Sequence, residues 1–156
     1  SLARLETIQY TVEKVITAET GTGTFDFLFA DKLIFIARGL VIAGVDLSKL
    51  GADDLWIDNG VLYVQLPEAE VFIATLDNDK SHVYDRDTGL LRKSDIDLET
   101  ATRRVAEDEI EKAALEDGIL DQARLNAENY LYRLFRQFGY PEVIFVGSSA
   151  TATPVP

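Results

Sequence analysis

Four aspartates, a serine, a tyrosine and the chain's one histidine crowd into Asp77 to Asp87, the first part of DNDKSHVYDRDTGLLRK (Asp77 to Lys93). Asp77, Asp79, Ser81 and Asp85 stand at positions 1, 3, 5 and 9 of the oxygen-ligand spacing of calcium loops. His82 takes the place of the turn glycine in that spacing, and Thr88 the place of the bidentate glutamate. Asp85-x-Asp87-x-Gly89 is a second, shorter run of oxygen ligands. Carboxylates this close repel one another unless a cation, Lys80, Arg86 or water relieves them. Aspartate is also a plain turn residue, and solvated turns are the preferred reading. Calcium is the only cofactor the sequence suggests, and the expectation is none. Asp77, Asp79, His82, Tyr84, Asp85 and Asp87 remain the candidates for contact with a ligand or partner.

Asp46 is the other candidate. It ends the apolar strand of GLVIAGVDLSKL (Gly39 to Leu50), and the preferred role is to bond the free N–H groups of the turn at Leu47 to Leu50. A single histidine excludes HExxH zinc binding, and no GxSxG nucleophile elbow is present. The absence of cysteine excludes thiolate catalysis and cysteine-ligated metal. Thr20-Gly21-Thr22-Gly23-Thr24 opens like a phosphate loop, but Asp26 stands where the third glycine belongs, so a flexible turn is expected. Hydrolysis by two facing carboxylates stays open, and 27 acidic residues give no way to choose a pair.

The elements that position these residues follow from periodicity. Ile8, Tyr10, Val12, Ile16 and Ala18 alternate with polar residues, which predicts a half-buried strand. Lys14 falls on its apolar face, where a long side chain near a sheet edge reaches water. Lys32 to Ala37 reads as a short central strand, Arg38-Gly39 as a turn, and Leu40 to Leu47 as the next strand. On that strand Gly44 marks a hole, a bulge or a close backbone approach. Trp56-Ile57-Asp58-Asn59-Gly60-Val61-Leu62-Tyr63 predicts a type I′ hairpin. Its register sets Ile57 against Leu62 and Leu55 against Val64, with Trp56 opposite Tyr63 on the other face. Pro67 ends the strand, and Val71 to Leu76 is the next.

Asp77 to Lys93 shows no period and reads as a long loop, with a small turn at Asp87-Thr88-Gly89. Ser94 is the expected N-cap of a helix whose buried stripe is Leu98, Ala101, Val105 and Ala106. Glu99–Arg103 and Asp108–Lys112 are spaced to support it, and Glu107, Asp108, Glu109 and Glu111 are expected to face solvent. Gly118 interrupts the helix. A second helix should bury Leu120, Ala123, Ala127, Leu131, Leu134, Phe135 and Phe138, with Gly139 beyond its end. Val143 to Val146 reads as a last strand returning to the sheet. The expected fold is α+β: a largely antiparallel sheet over 5–77, a helical pair over 95–139 and a closing strand. Residues 1–147 would form one domain and 148–156 a mobile tail.

The net charge is −12, which disfavours nucleic acid and anionic membrane surfaces. The chain also lacks methionine, even at position 1, so a processed or trimmed piece is expected. Its densest apolar run, Leu33 to Ala37, falls far short of the ~20 residues a membrane span needs.

The order GVDLSKL, LPEAEVF and AALEDGILDQARLNAENYLYRLFRQFGYPEVIFV resembles the bacterial family catalogued as domain of unknown function 4230. The resemblance covers residues 5–147. It implies a membrane span just ahead of Ser1, and it brings no catalytic residues. The functional expectation is a non-enzymatic, extracytoplasmic domain of a membrane-anchored protein, touching membrane only through that lost segment and working through an unknown protein partner. The alternative is a carboxylate-dependent hydrolase.

Overall fold

In the computed structural model of this chain the described residues are 3–17, 33–85, 91–93 and 100–147. Strands β1 (Arg4–Ile16) and β2 (Leu33–Asp46) form a long antiparallel pair. β3 (Leu55–Asp58) and β4 (Val61–Val64) make the hairpin, and β5 (Ala69–Leu76), β6 (His82–Asp85) and β7 (Leu91–Lys93) follow. Helices α1 (Thr100–Glu116) and α2 (Ile119–Gln137) precede a last strand, β8 (Glu142–Phe145). The fold is α+β, as strand periods followed by helix periods predict.

The strands divide into two sheets. β1, β2, β5, β6 and β7 make an antiparallel five-stranded sheet, and β3, β4 and β8 a three-stranded one. The closing strand therefore does not rejoin the main sheet; it lies parallel to β4, with Leu62 opposite Val143 and Val64 opposite Phe145. The apolar residues of β4 and β8 form a core of their own with Leu66, Phe135 and Tyr140.

β2 is one strand where a turn was expected at Arg38-Gly39. Its odd-numbered residues Phe35, Ala37, Val41, Ala43 and Val45 are all fully buried. That single uninterrupted alternation is what a strand buried on one face requires. Gly39 belongs to the same face. A β-carbon there would lie 2.5 Å from the Thr75 carbonyl oxygen and 2.7 Å from Ile110 Cδ1. The glycine thus admits α1 to the sheet and turns nothing. The core over it joins Val12, Ile16, Phe35 and Val41 to Ile110, Ala114, Ile119 and Ala123 of the helices.

Gly44 is the close approach. β1 carries a register shift between Glu6 and Ile8, and the bulge brings the Leu5 carbonyl against Gly44. Lys14 is half-buried on the helix-facing side of β1, which lies at the end of the main sheet.

The expected long loop from Asp77 to Lys93 contains two strands. β6 pairs with the first part of β2, Leu33 to Ile36, and β7 pairs with β6. The strands are short and polar, so no alternation announces them. The predicted turn at Asp87-Thr88-Gly89 and the cap at Ser94 lie outside the described residues.

The hairpin follows its sequence. Asn59 has φ 52° and Gly60 φ 81°. Leu55, Trp56 and Ile57 face Val64, Tyr63 and Leu62 as expected. Gly60→Val is expected to cost about 1 kcal/mol, because a β-branched residue resists left-handed φ. An unchanged melting temperature would count against the turn.

Gly118, at φ 81°, breaks the helical pair. The inner stripe of α2 is Ile119, Ala123, Ala127 and Leu131. Phe138 is not part of it, being 69% exposed. It is the C-cap, where the chain has left the helical stripe. Gly139 N–H donates to the Arg136 carbonyl and Tyr140 N–H to the Phe135 carbonyl, at 3.1 and 3.2 Å, a Schellman ending. Glu107 does not simply face water. Its carboxylate accepts from Leu76 N–H and from Arg103 Nε, each at 3.3 Å, which ties α1 to the end of β5.

Candidate functional site

On the side of β2 away from β1, β5 covers Gly39 to Val45 and β6 covers Leu33 to Ile36. Ala37 and Arg38 lie at the change of partner, and the aspartate-rich stretch begins there. Asp77 N–H donates to the Arg38 carbonyl at 2.8 Å. Ser81, only 3% exposed, closes the gap. Its hydroxyl accepts from Arg38 N–H at 3.0 Å and lies 2.6 Å from the Asp77 carbonyl as donor. The serine counted among the cation ligands therefore repairs the sheet.

Asp77 is likewise engaged. Its Oδ1 accepts from the N–H groups of Asp79 and Lys80 at 3.1 and 3.2 Å, and Oδ2 lies 3.5 Å from Lys80 Nζ. This is an aspartate turn with a local counter-charge. His82 Nδ1 sits 3.3 Å from the Lys80 carbonyl, at the start of β6. The backbones of Tyr84 and Asp85 pair with Ile34 and Leu33. Asp87 lies outside the described residues. Among the described residues no three histidines or carboxylates gather closely enough to hold a metal ion. A groove of about 440 Å³ opens beside this turn, lined by Gln9, Thr11, Arg38, Asp77 and Lys80.

Asp46 performs the role expected of a strand-end carboxylate. Its Oδ1 accepts from Ser48 Oγ at 2.6 Å and from Ser48 N–H at 3.0 Å. These bonds, the hydroxyl's first, hold the Asp46 carboxyl below the usual aspartate range. Nearby, the Lys49 ammonium is bonded to the Glu70 carboxylate, which raises its pKa. A carboxyl with a depressed folded value stabilises the fold above its unfolded value, and the contribution fades as pH falls through the folded one. Asp46→Ala is thus expected to be less stable than the wild type at neutral pH. The gap should narrow below about pH 4, the unfolded aspartate range. Parallel melts across that range provide the check, and a gap independent of pH would refute the assignment.

Two further surfaces escaped the sequence. One is a groove of about 660 Å³ between the start of β1 and α2, lined by Glu6, Thr7, Asn126, Asn129, Tyr130 and Arg133. Asn126 Nδ2 donates to the Thr7 carbonyl at 3.0 Å, and Thr7 Oγ1 donates to the Ala123 carbonyl at 2.7 Å, which fixes the bulged strand to the helix. The signal was present as a polar stripe at helical spacing (126, 129, 130, 133), beside the apolar one.

The other is a face of the three-stranded sheet. Strand alternation puts Leu55, Leu62, Val64, Val143 and Phe145 against the second core. The register then sets Trp56, Tyr63 and Ile144 in a row on the opposite face, and Asp58, Val61 and Glu142 in the row beside it. Trp56 and Ile144 are 40% and 41% exposed. Trp56 and Tyr63 stack with ring centroids 5.6 Å apart and planes 8° from parallel. The hairpin had shown the pair, but only the parallel strand β8 brings Ile144 and Glu142 alongside it.

An antiparallel sheet backed by a helical pair, with a small mixed sheet beside it, grooves on two sides and an aromatic face, defines a mixed α+β fold. The family described as "Protein of unknown function (DUF4230)" matches residues 1–145, and the chain belongs to that family. No curated protein and no solved structure matches it.

Proposed function

We propose that this chain is the non-enzymatic, extracytoplasmic domain of a membrane-anchored protein, working through protein contacts. The observation that carries the reading is the row of exposed Trp56, half-buried Tyr63 and exposed Ile144. Aromatic residues on a firm sheet lose little conformational freedom on binding and are enriched in the centres of protein interfaces. The hydrolase alternative asks for two carboxylates facing across a cleft. Of the described residues lining the two grooves, Glu6 is the only carboxylate in one and Asp77 the only one in the other. Among the described residues no helix is long and apolar enough to cross a membrane. The anchor of this reading is the segment ahead of Ser1 that the family resemblance implies.

A photo-crosslinking residue at position 56 of the full-length protein, in its own cells, tests the contact. Adducts to another protein are expected at 56 and not at the exposed helix-end position 117. Equal labelling at both, or none at 56, would remove the reading. Detergent partitioning of the same cells tests the anchor, and recovery without detergent would sink it. No resident cation belongs to this proposal, since Asp77 and Ser81 already serve the backbone. Calcium at millimolar concentration is expected to leave the melting temperature unchanged. A rise would reveal binding to the folded state and restore the cation site.

A further inference from the structure

We infer that the open face of the three-stranded sheet takes a cationic, partly apolar polypeptide segment. The inference rests on the protein-contact reading and names the chemistry of the partner. The face is made of two rows. Trp56, Tyr63 and Ile144 supply apolar and aromatic area, and Asp58, Val61 and Glu142 form the row beside them. Asp58 and Glu142 are exposed and stand on the two outer strands, so a carboxylate marks each side of the face. Neither has an ion-pair partner among the described residues.

A lysine or arginine of the partner meets two attractions here. It reaches a carboxylate at either edge, and its stem or guanidinium lies on the indole or phenol ring. The apolar side chains of the same segment cover Ile144 and Val61. Charge argues against the other occupants. A second copy would bring its own Asp58 and Glu142 against these, within a chain of net charge −12. An anionic bilayer is repelled by the same two carboxylates. The stacked indole is already held by Tyr63, so binding does not have to order it.

Trp56 is the chain's only tryptophan, and its emission therefore reports on this face alone. The probe is a peptide of alternating lysine and leucine, with a glutamate–leucine peptide as its counterpart. The lysine peptide is expected to shift the emission saturably, and added salt should weaken it. D58N/E142Q should weaken it about five- to tenfold, for two exposed charge contacts. E116Q/D117N removes the same charge from the α1 terminus and should leave the response unchanged. Melting curves of both variants check that the fold is intact.

No emission change, an equal response to both peptides, or equal weakening by the two double variants would overturn the inference. An emission shift with anionic vesicles would overturn it in favour of a membrane. Concentration-dependent self-association lost on Trp56→Ala would do so in favour of a second copy. Adducts at position 56 in cells, with no response to the lysine peptide, would refute the cationic partner and leave the contact reading standing. A saturable peptide response without adducts would do the reverse.

Discussion

Gly44→Ala is expected to destabilise the protein by about 3 kcal/mol or more, the cost of forcing extra volume into a packed interior. For a chain of this size that is a fall in melting temperature of roughly 6–12 °C. The added β-carbon would lie 2.0 Å from the Leu5 carbonyl oxygen, 2.8 Å from the Leu5 carbonyl carbon and 2.9 Å from Glu6 Cα. All three are backbone atoms, so no side-chain rotation makes room. β1 would have to lift from β2 at the bulge, and the lift would break the link from Thr7 to α2. Gly51→Ala is the matched control. Its nearest contact would be Asp54 Oδ2 at 3.4 Å, and little change is expected. Equal melting temperatures for the two variants would show that the bulge does not press on Gly44.

Ser81→Ala is the second large effect, at about 2 kcal/mol, or roughly 4–8 °C. Replacing the hydroxyl takes a buried acceptor from Arg38 N–H at the point where β2 changes partner. A backbone amide left without a partner at a part-buried site loses the full value of its hydration. The location makes the effect separable from general loosening. Amide exchange of Arg38 should accelerate more than that of Val41 or Ala43, which lie further along the same strand under β5. Uniform acceleration would mean that Ser81 only fills space.

What the sequence disclosed depended on the range of the signal. The Asn59-Gly60 hairpin, the cap at Asp46 and the ending at Gly139 were legible because each is a few residues of local backbone chemistry. The long alternation of β1 was legible for a similar reason, since one buried face writes itself into every second residue. Arg38-Gly39 misled because the glycine answers to Ile110, which lies far along the chain. Ser81 misled because serine suits a cation, a turn or an interior amide equally well, and only the fold chooses. β6 and β7 were hidden because a short strand laid beside an established one needs no apolar alternation of its own. The aromatic face was half visible. The hairpin gave two residues of its first row, and β8, more than 70 residues later in the chain, supplies the third.

The second helix runs unbroken through 19 residues, about 28 Å at the usual rise per residue. Near its beginning Ile119 and Ala123 are set in the core of the large sheet, and near its end Phe135 is set in the core of the small one. The helix is therefore a strut with both ends embedded. A shift of the small sheet would meet Phe135 on the same rigid element that carries Ile119 and Ala123 in the larger core. The two sheets are therefore joined through the packed side chains of one continuous helix as well as through the loops of the chain.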